Sequence, residues 1–323
     1  MTKLLASIRQ YLSVRHRTVG AAALRIALGL NMLVLYVMHI PERNFIWGDR
    51  GVLSAAVARA MYLNSGRWSL FFLSDSPLFH AVLFWGGLVV TILFIVGVWP
   101  RLMSVLFFVM SYSLYARNPL LMDGGDNILI LLAFFLMFVD TSGRFVPWQR
   151  EETRGQNSFV ALVHNFGVIA ILAQLCILYF TSAWAKMSGH MWQDGTAIYY
   201  ILRSTSFDVS PLNSIITQNA TLETILTYAT IVLQIGFPFV VWNRLLKWPW
   251  LIGAFTFHLG IGISMGLMWF SLVMLSCELI FIDDRSYAKA RAWLVELAQK
   301  HDVRSRVRGV GKRASRVPRG VTS

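Results

Sequence analysis

The sequence predicts an all-α fold, a polytopic integral membrane helical bundle of about eight spans with both termini cytoplasmic. Three observations predict it. Hydrophobic residues make up 56% of the 323 and charged residues 14%, with a mean hydropathy of +0.57; a soluble domain carries about a quarter charged residues. The apolar residues come in long runs rather than in stripes, and about 20 such residues in a helix cross the hydrocarbon core. Lys and Arg flank these runs and gather after the last one, with eleven of the 29 in residues 283–323.

The elements follow in order. Residues 1–18 form a short basic cytoplasmic segment. The run Val19 to Ile40 is too long for a signal-peptide core and reads as the first span. It carries Arg25, which either snorkels to the interface or pairs inside. Residues 41–77 form an outer segment, of which Val52 to Leu63 is mildly amphipathic and suited to lie flat on the membrane. Leu78 to Trp99 is the second span. Trp99-Pro100-Arg101 makes a tight cytoplasmic turn, because proline cannot continue a helix and arginine favours that side. Residues 102–116 rise as a third span to an outer loop at 117–127, where Gly124-Gly125 permits a turn. Ile128 to Asp140 is a short fourth run, and 141–158 a polar cytoplasmic loop. Phe159 to Ala185 is the fifth span and delivers Lys186 to the outer side. Residues 186–221 form a second outer loop, and Leu222 to Trp242 the sixth span. The stretch Trp248 to Ile282 is too long for one span and suits two short ones joined near Met268. The transmembrane domain is therefore 19–282, and 283–323 is a basic, disordered cytoplasmic tail.

The formal net charge of +13 raises the question of nucleic acid. Its distribution beside the spans and in the tail answers it: this is an orientation signal with affinity for anionic membrane lipids, and no nucleic-acid partner is expected. Cys176 and Cys277 both lie inside apolar runs, so neither a disulfide framework nor a metal site is expected. No phosphate-binding or dinucleotide motif is present.

The chemistry-bearing groups gather at the outer half. Tyr179 to Ala197 closes an apolar run with aromatic rings and then presents Lys186 and a polar loop. A lysine against an apolar wall loses its proton more readily and can act as a base; a lysine beside Tyr and Trp at a span end is equally an interfacial anchor. His258 sits mid-run, either as a proton carrier or as a core histidine. Asp126 could balance a base or serve its Gly-rich turn, and Asp123 reads as a turn residue. Asp194 could cap the next helix start.

Four stretches carry a family resemblance: ALRIALGL at 23–30, ARNPLLMDGGDNILILLAFFLMFVD at 116–140, YFTSAWAKMSGHMWQDGTAIYY at 179–200 and FHLGIGISMGLMWFSLVML at 257–275. In this order the chain resembles the HTTM (horizontally transferred transmembrane) domain family, which includes the vitamin K-dependent gamma-carboxylase. The resemblance implies a multi-pass plasma-membrane protein. It implies Lys186 as the base acting on a reduced quinone of the vitamin K or menaquinol type, with His258 and Asp126 as further catalytic groups. Trp184, His190, Trp192, Asp194 and Gly195 would form the substrate or quinone pocket. Two departures stand out. Asp126 falls where the carboxylase has a histidine, and the large lumenal domain of the carboxylase has no counterpart in these residues. The size is that of small bacterial members, one of which matures a secreted sporulation-delaying toxin. Two readings result: an enzyme modifying a peptide or lipid at the outer face, or a non-catalytic factor for maturation or export of a secreted peptide or protein. A transporter ranks last, since no pair of broken helices suggests alternating access.

Overall fold

The computed structural model describes residues 11–63, 66–147 and 158–314, and these are helical with no strand among them. Helix α1 is Thr18–Met38. Short helices α2 (Arg43–Trp47) and α3 (Ala55–Leu63) fill the first long connection. Then come α4 (Pro77–Val96), α5 (Pro100–Arg117), α6 (Gly124–Leu136) and α7 (Ser158–Met187). Three short helices follow, α8 (His190–Gln193), α9 (Ala197–Leu202) and α10 (Pro211–Thr217). The chain continues through α11 (Ala220–Val240), α12 (Lys247–Met265), α13 (Met268–Glu278) and α14 (Asp284–Ala314).

Local chemistry sets the ends. α4 opens on Pro77 and closes on Gly97, whose φ of 82° suits a residue without a side chain. Trp99 then turns the backbone left-handed and Pro100 opens α5, which is the expected Trp-Pro-Arg turn. α6 begins with a reciprocal capping box between Asp123 and Asp126. Gly266, at φ 71°, breaks the final apolar stretch into α12 and α13 two residues before the expected Met268.

All eight expected runs are helices. Only four, Thr18–Met38, Pro77–Val96, Phe159–Met187 and Ala220–Val240, are long and apolar enough to cross a membrane alone. About eight spans is thus more than helix length and composition supply: α6 and α13 are apolar but short, with 13 and 11 residues.

Even so, bonds between helix ends gather the termini of the long and the short apolar helices into two groups. The segment ahead of α1 meets the end of α6 and the start of α7 through Arg15–Asp140 at 2.6 Å and His164 Nε2 to His16 O at 2.8 Å. Asp284, just after α13, accepts from Thr18 N and Val19 N at 3.0 and 2.9 Å. Lys247, opening α12, pairs with Asp283 at 2.7 Å. These groups mark one end, the Arg17 end. Lys186, Gly195 and Gly266 mark the other.

α1 is the centre of the core, with Ala21, Ala22, Leu24, Leu28 and Met32 fully buried. Small residues let it approach closely, and any side chain at Gly20 would press on the Leu279 carbonyl. Apolar side chains are equally abundant outside, Leu78, Phe239 and Trp184 among them. In water that surface would aggregate; in lipid it is the wetted face.

Three expectations change. Arg25 is fully buried, so it does not snorkel; its Nη2 donates to Phe145 O at 2.7 Å and ties the loop after α6 to α1. Arg117 is not a loop residue. It is buried at the end of α5 and donates to Gly48 O and Leu53 O at 2.7 and 2.8 Å, anchoring the first outer segment. The tail is helical from Asp284 to Ala314 rather than disordered, as a run rich in Ala, Arg and Lys favours. Residues 1–10 of the basic segment, 148–157 of the polar loop and 315–323 of the tail lie outside the described residues.

Candidate functional site

α7 brings the candidate groups to one face. Tyr179, Ala183 and Lys186 stand at i, i+4 and i+7, so their side chains share a side of the helix. Ala183 is fully buried and Tyr179 nearly so, which turns that side inward. Lys186, in the last turn, is half-buried. Its Nζ donates to Ser182 Oγ at 3.1 Å and lies 5.4 Å from the centre of the Trp192 ring. An ammonium over an aromatic face is held by the ring quadrupole.

One to two turns deeper, the Tyr179 hydroxyl is 2.9 Å from His258 Nε2. The Tyr179 ring stacks on Phe237 of α11 at 3.9 Å, and Phe270 of α13 meets the His258 ring at 5.8 Å. His258 is buried, and its Nδ1 has no partner among the described residues. Whichever way the Tyr179 proton points, one ring nitrogen of a neutral imidazole is left unmatched. A half-buried amine beside a buried phenol–imidazole pair can take up a proton and pass it on.

Asp126 stands elsewhere. Its Oδ1 accepts from Tyr115 OH at 2.6 Å and Trp269 Nε1 at 2.7 Å, and its Oδ2 accepts from Asp123 N at 2.9 Å. Phe270 lies between: its ring meets His258 on one side, and its atoms press on Gly124 and Gly125 on the other. The structure therefore sets Lys186 on the helix face of Tyr179, the partner of His258, and gives Asp126 to a clasp between α5, α6 and α13.

The pocket candidates divide similarly. Trp192 is partly buried under Lys186, and Gly195 is buried with φ 75°. Trp184 is 62% exposed and points away, its ring beside Phe180. His190 and Asp194 are exposed, and Asp194 ends α8 as its C-cap instead of capping the next helix. Among the described residues no group of three His, Cys, Asp or Glu could hold a metal ion.

Sequence reasoning missed two buried polar features. Glu278 is buried, with Oε1 unpartnered among the described residues. The signal was a lone carboxylate inside the apolar run SCELIF. α11 carries Glu223, Thr227, Thr230 and Gln234 buried along one side, with Glu223 Oε2 and Gln234 Oε1 unpartnered. The signal there was their helical spacing of four, three and four within an apolar span.

No family model matches the chain. It is 26% identical over 220 residues to the uncharacterized protein YitO of Bacillus subtilis (strain 168), covering 66% of this chain and 71% of YitO. It is 23% identical over 196 residues to the sporulation-delaying protein SdpB of the same organism, covering 59% of this chain and 60% of SdpB. No solved structure matches. With its four apolar helices of spanning length, the chain is a helical membrane protein with bacterial relatives, one of them tied by name to delayed sporulation.

Proposed function

We propose that the chain is a multi-pass plasma-membrane protein of the HTTM type that acts in maturation of a secreted peptide, with the Lys186 end at the outer face and both termini cytoplasmic. Its eight apolar helical runs are the membrane crossings, and Lys186 is its base. One observation carries the reading: Lys186 sits half-buried over Trp192, on the same face of its helix as Tyr179, whose hydroxyl meets the buried His258. A peripheral anchor would have no such neighbours.

The residues present fit a reduced quinone. His258 Nδ1 is an orphaned buried group that a quinol hydroxyl would match, and Trp192, Tyr179 and Phe270 offer aromatic faces. Bound there, a quinol would supply the reducing equivalents for oxygen chemistry at the outer face. Lys186 Nζ, once deprotonated, would accept the hydroxyl proton. Ser182 holds the amine through its hydroxyl. His258 and Tyr179 fix the second polar contact, and the aromatic rings keep water from the reacting group. Asp126 contributes by holding α13 against α5 and α6.

A second reading is non-catalytic. Asp126 lies in its own clasp, and His190 and Asp194 are exposed, so the outer loop would bind a secreted peptide without altering it. Mass spectrometry of purified protein given reduced menaquinone or vitamin K under air separates the two. Quinone epoxide formed by the wild type and lost in Lys186→Ala supports the enzyme. Quinone bound without epoxide leaves the binding role.

A further inference from the structure

A cavity of about 330 Å³ opens at the Arg17 end, far from Lys186. Its rim is polar: Tyr11, His16, Arg17 and Asn165. Its walls are apolar: Val168, Leu172 and Cys176 from α7, Pro238 from α11 and Trp242 just after it. The volume is at the lower end of the range for small-ligand sites, about 300–1,000 Å³. The lining of α7 runs from Asn165 to Cys176, on the order of 16 Å along the axis. That is half the thickness of a hydrocarbon core of about 30 Å, the depth of one leaflet.

The rim is built and carries a positive charge at Arg17, which Asp283 and Asp284 favour from nearby. Asn165 is used up: Nδ2 donates to Leu12 O and Val14 O, and Oδ1 accepts from His16 N. It fixes the segment ahead of α1 as a strap over the opening. His16 stacks on Tyr11 at 3.9 Å. Arg17 takes a left-handed backbone at φ 55°, uncommon for a residue with a side chain, and uses Nη1 on Ile280 O at 2.8 Å. The neighbouring carboxylates are engaged: Asp284 caps α1, Asp283 pairs with Lys247, and Asp140 pairs with Arg15 and Arg101. None of them lines the cavity, while Arg17 does.

We propose that this cavity holds one acyl chain of an anionic phospholipid from the leaflet at the Arg17 end, with the phosphate at Arg17 and His16. The chain lies along Val168, Leu172 and Cys176 and stops at Pro238. The cation and the leaflet-deep apolar slot together select an amphiphile over a soluble anion. The site stands apart from the Lys186 chemistry and does not rest on it.

Cys176, partly buried, is the native reporter, and buried Cys277 is its internal control. The full chain is placed in vesicles of phosphatidylcholine with or without phosphatidylglycerol, and N-ethylmaleimide labelling of each cysteine is followed by mass spectrometry. Phosphatidylglycerol should slow Cys176 labelling about tenfold, equivalent to about 1.4 kcal/mol of binding. Native mass spectrometry should find phosphatidylglycerol, not phosphatidylcholine, retained. In Arg17→Gln the lipid preference should vanish, and in Ala173→Trp, which fills the slot, the retained lipid should be lost. Equal labelling in both vesicles with no retained lipid overturns the proposal, as does an Arg17→Gln variant that keeps the preference. Equal protection by soluble glycerol phosphate in neutral vesicles would mean a soluble-phosphate site and would overturn the lipid assignment.

Discussion

At the scale of single residues, stability and chemistry separate cleanly at this site. The Tyr179 hydroxyl meets His258 in a fully buried setting, so Tyr179→Phe leaves both ring nitrogens of His258 unmatched. The expected loss is about 1–3 kcal/mol in denaturant unfolding of the micelle-embedded protein, the cost of a buried polar group left without its partner. Lys186 bonds only within its own turn and over one ring, so Lys186→Ala should unfold within about 0.5 kcal/mol of wild type while abolishing proton abstraction. An equal loss of stability in both variants would make Lys186 a structural anchor. Gly195 gives a third contrast. Its φ is 75°, and an added Cβ would stand 3.0 Å from Thr224 Cγ2 and 3.1 Å from the Tyr228 ring. Gly195→Ala should lower stability by about 1 kcal/mol or more, read by thermal unfolding. The sequence shows Lys186, Trp192 and Gly195 because they are neighbours along the chain. It does not show that His258 meets Tyr179 on the helix face of Lys186 and Asp126 does not, because that choice is made by the packing of Phe270 between α6 and α12.

At the scale of elements, helices are legible and the ties between them are not. An apolar run of the right length must be helical in lipid, since every backbone group has to be satisfied within its own segment. Loop residues carry no such compulsion. His164 and Asn165, inside the ordinary-looking ALVHNFG, hold the described residues just ahead of α1 through Leu12, Val14 and His16. The Asp140 N–H donates to His164 Nδ1 at 3.1 Å, which leaves Nε2 as the protonated nitrogen that donates to His16 O. Asp140 is the second tie. Burial alone would raise its carboxyl; bonds from Ser142 and the charges of Arg15 and Arg101 outweigh this and hold it below the ordinary carboxylate range. A depressed folded value means that the contribution is complete above the unfolded carboxylate value, about 4, and is lost as pH falls through the folded one. Stability should therefore fall on acidification below about pH 4, and Asp140→Asn should flatten that fall while already weaker at pH 7. Unfolding followed by tryptophan fluorescence across that range checks it; an unchanged acid profile in Asp140→Asn would show that the pair carries no linkage.

At the scale of the whole molecule, the argument concerns parity. Helix length alone gives four crossings, and α6, about 20 Å long, falls short of a hydrocarbon core of about 30 Å. The ties at the Arg17 end decide how the shorter helices count. The end of α6 and the start of α7 bond to the segment ahead of α1, Lys247 at the start of α12 pairs with Asp283, and Asp284 at the start of α14 bonds the start of α1. If α6 stopped halfway, Asp140 could not reach Arg15 while the α6 start stays clasped to Tyr115 near the far end of α5. Short crossings of this kind are met by local thinning of the bilayer at modest cost. If all eight helices cross, the segment ahead of α1 and α14 should share one face with Lys186 on the other, and by the positive-inside rule the Arg17 end should be the cytoplasmic one. Single cysteines in a Cys176→Ala, Cys277→Ala background test this with a membrane-impermeant maleimide. Ser188→Cys, beside Lys186, should label in intact cells, and Gln299→Cys, on α14, only after permeabilisation. Labelling of Gln299→Cys in intact cells would make the crossings odd in number or the orientation reversed. Either result would place the base and the tail on faces that the outer-face reading of Lys186 does not allow.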